Sequence, residues 1–189
     1  MKVYVIRHGL TELNKKKVVN GQIDEPLALE GIEQARAAIS LIPKSIKHLY
    51  TSPLQRAQQT AQIINSKLMR PISVQIELTE IHMGSFAGKS WGDMKSGLEM
   101  KKKHRTIQFD YRSYGGESAA EVKKRIINFL KIINNQHNDY EVLIVTHGGI
   151  IRLFHLLEHN THLLDEIDHI APHTFDLDKI LKQNFRHTS

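Results

Sequence analysis

The sequence predicts an α/β fold of three layers, a central, mostly parallel β-sheet flanked by helices. Short β-branched runs alternate with longer stretches of helical period, which is the pattern of a parallel sheet covered on both faces. Helix-start signatures stand at Ser52-Pro53, after a strand-like segment, and at Ser118, after a loop-rich stretch. The β-branched run Val142 to Val145 is turned by Gly148-Gly149 into another apolar helix. A length of 189 residues suits one domain over 1–189.

The elements follow in order. Val3 to Ile6 reads as a buried strand. Leu29, Ile32, Ile39 and Ile42 repeat with a helical period, and Gly31 weakens the first turn of that helix. His48 to Thr51 reads as a second strand. Ser52 is then placed as an N-cap, Pro53 at the first helical position and Gln55 as the partner in a capping box. Leu54, Ala57, Ala61, Ile64 and Leu68 line one face of the helix that follows, and Pro71 stops it. Ser73 to Ile76 is the third strand. Residues 82–116 form a loop-rich excursion with a helix near 90–103, closed by Gly115-Gly116. Ser118 and Glu121 make a capping box for a helix whose stripe is Val122, Ile126, Phe129 and Ile133. Val142 to Val145 is the fourth strand, and Ile150, Ile151, Phe154 and Leu157 mark the last helix. The polar, histidine-rich remainder receives no element.

Composition narrows the function. Hydrophobic residues make up 40% and charged residues 24%, ordinary for a globular domain and against disorder or coiled coil. No apolar run approaches the ~20 residues of a bilayer span. There is no cysteine, which excludes disulfides, thiolate metal sites and cysteine nucleophiles. No signal peptide is read at the N-terminus, and a cytoplasmic setting is expected. The net charge of +6 suits a negatively charged partner. Lys15 to Lys17, Lys101 to Lys103 and Lys123 to Arg125 read as solvated surface with few interleaved aromatics, so neither nucleic acid nor membrane is expected as a partner.

Ligands of such sheets bind beyond the carboxyl ends of the strands. Arg7-His8-Gly9 follow the first strand, Ser52 and Arg56 the second, Thr79-Glu80 the third and His147-Gly148-Gly149 the fourth. Arginine's planar fork matches phosphate oxygens. A helix beginning near Gly148 aims free N–H groups at an anion, and Asn14 offers an amide donor. There is no P-loop and no HExxH. A neutral imidazole is a competent nucleophile. His8 beside two arginines resists protonation, and Glu80 suits general-acid work once a bound phosphate dianion keeps it protonated.

These residues carry a resemblance. Arg7-His8-Gly9, with Thr11-Glu12-Leu13-Asn14 after it, resembles the RHG motif of the histidine phosphatase (phosphoglycerate mutase-like) superfamily. Gly21-Gln22 through Leu27 resembles the family's next block, Ser52 to Ala61 its second arginine motif, and Leu78-Thr79-Glu80-Ile81 its acid motif. Gly115 to Ser118 and Thr146 to Gly149 complete the ordered set. The resemblance implies a phosphomonoesterase acting on a small phosphorylated metabolite, without metal or cofactor. His8 would take the phosphoryl group, Arg7, Arg56 and His147 would hold it with help from Asn14, Gln22 and Gly148, and Glu80 would serve as acid and then base. Met83, Phe86, Ala87 and Tyr114 depart from the family pattern around the substrate mouth and bear on substrate choice.

Alternatives stand beside this reading. A mutase of the same family would carry a longer insertion than the short stretch between Gly88 and Gly115. A non-catalytic phosphate-binding protein would use the same cage. Glu12 and Glu77 compete with Glu80 for the acid role. His155, His159 and His162 would share a face on a continuous helix, as a metal site or as an exposed polar face, the latter being the expectation. His169, His173 and His187 read as tail composition. Trp91 is either a lid or a packing anchor. Nothing in the sequence sets an oligomeric state.

Overall fold

In a computed structural model, residues 1–137 and 140–185 are described. The strands are β1 (Lys2–Arg7), β2 (His48–Thr51), β3 (Ile72–Val74), β4 (Val142–Thr146) and β5 (His173–Asp176). The helices are α1 (Glu12–Lys15), α2 (Leu29–Ala38), α3 (Gln55–Leu68), α4 (Gly97–Arg105), α5 (Ala119–Gln136), α6 (Gly148–His159) and α7 (Leu177–Phe185). The sheet order is β3-β2-β4-β1-β5, parallel except for β5.

The alternation of side chains along each strand divides the core into two layers. Val3 and Val5 of β1, Tyr50 of β2, and Val142 and Ile144 of β4 pack with α5, α6 and α7 through Ile126, Phe129, Ile150, Phe154 and Ile180. Ile6, Leu49, Leu143 and Val145 face the other way, against Ala35 and Ala38 of α2 and Ala57, Ala61 and Ile64 of α3. All five residues of β4 are buried, as a central strand covered on both faces requires.

Several expectations are corrected. Ser52 does not cap α3. Its backbone still belongs to the sheet, donating to the Val145 carbonyl at 3.1 Å, and α3 begins only at Gln55. The Gln55 N–H is capped instead by Asp24 from a distant loop at 2.7 Å. The third strand runs over Ile72–Val74, and residues 76–78 tighten into a 3₁₀ turn. The unassigned remainder contains β5 and α7. With Phe175 its one buried side chain, β5 has little apolar signal of its own and forms by antiparallel pairing with β1. His187 lies outside the described residues. No helix among the described residues is long and apolar enough to cross a membrane.

The loop after β1 is fastened to two helices. The Leu10 N–H donates to Gln34 of α2, the Leu10 carbonyl accepts from Ala28, and the Gly9 N–H donates to Thr60 of α3. This requires backbone against backbone: a Cβ on Gly31 would lie 2.1 Å from the Leu10 carbonyl oxygen. Gly31, which looks like a weak point of α2, is what lets the loop close on it. Gly31→Ala would stabilise a freely exposed helix by about 1 kcal/mol. Here we expect the opposite sign, destabilisation by about 1–3 kcal/mol, read as a lower urea midpoint with unchanged m-value.

Candidate active site

Strand register builds the centre of the site. Arg7 pairs with Thr146 across β1 and β4, so His8 and His147 leave neighbouring strands side by side, their ring centroids 5.1 Å apart. Arg56 rises from the first turn of α3 with no exposed surface, and its Nε donates to His8 Nε2 at 3.2 Å. Thr146 Oγ1 donates to the Leu78 carbonyl at 2.8 Å and so draws the segment leading to Glu80 against the end of β4. Arg7, His8, Arg56, Glu80 and His147 thus meet at one sheet edge.

One hydrogen bond assigns the His8 tautomer. His8 Nδ1 lies 2.7 Å from the Gly9 carbonyl, which only accepts, so Nδ1 carries the proton and Nε2 presents a lone pair. The Ser52 hydroxyl accepts from the Leu54 N–H at 3.3 Å and lies 2.8 Å from His147 Nε2. A hydroxyl both donates and accepts, so this pair is compatible with the hydrogen of His147 on Nδ1. That nitrogen is buried without a partner, and so is Arg7 Nε. Unsatisfied buried polar atoms call for an explanation, and a bound ligand is one that fits both.

Electrostatics separate the groups. Burial first, then His147, Arg56 and Arg7, hold the His8 imidazole well below the ordinary histidine value. His147 is depressed in the same way, by burial and then by Arg56, Arg7 and Arg125. Glu80 moves upward because burial outweighs two backbone N–H donors and the two arginines. The sequence reading requires bound phosphate to keep Glu80 protonated; burial already works in that direction.

The acid segment has its own supports. Gln22 Nε2 donates to the Glu80 carbonyl at 2.9 Å. Arg125 of α5 forks onto the Glu117 carboxylate at 3.0 and 3.1 Å and also donates to the Glu77 and Glu80 carbonyls. Glu117 in turn accepts from the His82 N–H. Arg125 is therefore not part of a solvated basic run. Glu12 is exposed and paired with Lys15, and Glu77 offers its carbonyl to Arg125, so Glu80 is the buried carboxylate of the three.

Other expected residues fall into place differently. Asn14 sits third in α1, accepting from the Thr11 N–H and hydroxyl and donating to Asn20 at 3.2 Å, a local network beside the pocket loop. Gly148 opens α6, where a Cβ would make an ordinary 3.6 Å contact with Arg7 Nε. Gly149 is the sterically demanding position, since a Cβ would come within 2.6 Å of Glu80 Oε1. Trp91 packs against Phe86 and His104 as an anchor. His155 and His159 are ring neighbours, but α6 ends at His159 with Asn160 left-handed, so His162 leaves their face. Among the described residues no group of three or more His, Asp or Glu is arranged to hold a metal ion. A cavity of about 900 Å³ between α6 and α7 is lined by mixed charges including Asp176 and Lys182 and contains none of these groups.

Two neighbours of the site carry no signal in the sequence. His169, read as tail composition, donates from Nδ1 to the His8 carbonyl at 2.6 Å. Arg152 of α6 is buried and donates to the Leu163 and Asp165 carbonyls. Both depend on the return of residues 161–170 across the sheet edge, which no local periodicity announces.

Comparison with known proteins places the fold and the family. A protein of Thermus thermophilus, TTHB049, superposes with a TM-score of 0.76 at 27% identity, covering 93% of this chain and 94% of that one. The metal-independent phosphoserine phosphatase of Arabidopsis thaliana is 31% identical over 162 residues, 82% of this chain and 67% of its own length. Phosphoglycerate mutase-like protein 4 of the same plant is 32% identical over 155 residues, 79% of this chain and 67% of its own. Residues 3–176 match the histidine phosphatase superfamily, branch 1. That match spans the strands that deliver both histidines and the helix that carries Arg56, and the chain belongs to this superfamily as one of its phosphatases.

Proposed function

We propose that the protein hydrolyses a small phosphomonoester through a phosphohistidine at His8. The observation that carries this is the fixed His8 tautomer, whose Nε2 lone pair lies among buried cationic and N–H donors. Arg7 Nε, Arg56 Nε and His147 Nδ1–H would hold the three phosphoryl oxygens, with the first N–H groups of α6 at Gly148 behind them. Asn14 and Gln22 would act from beside the pocket, Gln22 by holding the Glu80 peptide. The absence of cysteine fits a reducing, cytoplasmic setting.

The chemistry has two displacements. His8 Nε2 forms a bond to phosphorus as the ester P–O bond breaks. The electron pair leaves with the oxygen, and protonated Glu80 gives that oxygen its proton, releasing an alcohol. Glu80, now a carboxylate, takes a proton from water whose oxygen attacks phosphorus. The N–P bond breaks, its pair returns to Nε2, and inorganic phosphate leaves. Arg56 must give up its bond to His8 Nε2 before attack, and phosphate oxygens are the acceptors that replace it.

Three outcomes test this. His8→Ala lowers turnover of p-nitrophenyl phosphate by roughly 10⁴-fold or more while circular dichroism stays native; an active variant would remove His8 from the chemistry. Glu80→Gln, given this substrate's good leaving group, releases about one equivalent of nitrophenol in a burst and then stalls, because water activation is lost. A slow first step without a burst would instead assign Glu80 to binding. The scheme needs neutral His8 and protonated Glu80. Thus kcat/KM for an alkyl phosphate, whose leaving group needs the proton, rises from acid until His8 loses its proton, below the ordinary histidine value, and falls as Glu80 ionises, above the ordinary carboxylate value.

A further inference from the structure

Residues 167–170 grip the Arg7–His8 pair at three points. The Ile167 carbonyl accepts from Arg7 Nη1 at 2.7 Å. The Ile170 N–H donates to the Arg7 carbonyl at 3.1 Å. Between them, His169 Nδ1–H donates to the His8 carbonyl at 2.6 Å. The His169 ring also stands edge-on to the His8 ring, centroids 5.4 Å apart at 64°. With His147 at 5.1 Å and 59°, the proposed nucleophile is flanked by two imidazoles.

This arrangement is held against local preference. Ile170 has φ +72°, a left-handed conformation that a β-branched residue rarely adopts. It persists because Ile170 is buried in the core layer formed with α2 and α3 while its N–H remains bonded to Arg7. Upstream, the same segment is pinned by Arg152, which donates to the Leu163 and Asp165 carbonyls. Strained backbone enforced from both ends at a reacting group is a mark of positioning.

We propose that His169 is a positioning residue for phosphoryl transfer, holding the His8 backbone and one side of its ring so that Nε2 stays aimed into the anion pocket. The inference rests on the phosphohistidine reading of the preceding subsection. A neutral ring suits this place, since a further cation beside His8, added to Arg7 and Arg56, would oppose the positive charge that the imidazole gains on phosphorylation. Burial, then Arg7, push His169 down to about 4, against opposing contributions from its bond to the His8 carbonyl and from Asp168.

Three substitutions and single-turnover rapid quench with p-nitrophenyl phosphate test it. Asparagine places an amide N–H where His169 has Nδ1, glutamine places it further out, and phenylalanine keeps the ring alone. His169→Phe and His169→Gln are expected to slow formation of the acid-labile, base-stable adduct on the order of 10- to 100-fold, with KM nearly unchanged. His169→Asn is expected to recover most of the rate. Should His169→Phe not fold, the Gln–Asn contrast decides alone. Adduct formation at the wild-type rate in His169→Gln, equal rates in the Gln and Asn variants, or a loss confined to KM overturns the inference while leaving the phosphohistidine reading intact. Absence of an adduct in the wild type overturns that reading, and this inference with it.

Discussion

The hydrogen bond from His8 Nδ1 to the carbonyl of its own neighbour, Gly9, is the constraint on which the site turns. It puts the imidazole proton on one side and leaves the lone pair on the other. The bond forms only because the chain after β1 is held so that the Gly9 carbonyl faces back to the ring. Gln34, Thr60 and the close approach of Gly31 hold it there. A contact between two glycine-containing backbones, well inside the protein, therefore sets the tautomer of the proposed nucleophile.

Around that ring the protein buries more positive than negative charge. Burying a charge without a partner is costly, and here the relief comes mostly from carbonyls. Arg56 donates to the Gly21 and Ile23 carbonyls, Arg7 to Ile167, and Arg152 to Leu163 and Asp165. Neutral acceptors orient these cations without cancelling their charge, so the potential in the pocket remains available to an anion. Glu80 is a buried carboxylate among them, and its burial moves it toward the acid form while the histidines move toward the base form. Two kinds of group pushed apart in this way are the means by which one site supplies both a nucleophile and a proton donor.

The excursion between the acid motif and α5 joins the core on the α5 and α6 side through Phe86, Met100, Phe109 and Tyr111. Phe86, Trp91, His104, Phe109, Tyr111 and Tyr114 form a connected ring cluster at the departures from the family pattern. His104, bonded to the Tyr111 hydroxyl and depressed to about 3 by burial and then Arg152 and Arg105, belongs to this wall.

By itself the sequence determined the strand and helix alternation, the parallel core of the sheet, and the residues at the carboxyl ends of its strands. Those features are local: apolar period, glycine at turns and charged types just past β-branched runs are legible residue by residue. Arg7, His8, Arg56, Glu80 and His147 are therefore found without coordinates. Only the tertiary structure decided that Asp24 caps α3 in place of Ser52, that Arg125 and Glu117 brace the acid segment, and that β5 and residues 167–170 return beside β1. Each of these joins segments far apart in the chain through one or two polar contacts. Such contacts leave no periodicity behind, because their geometry comes from the packed sheet and not from the residues flanking them.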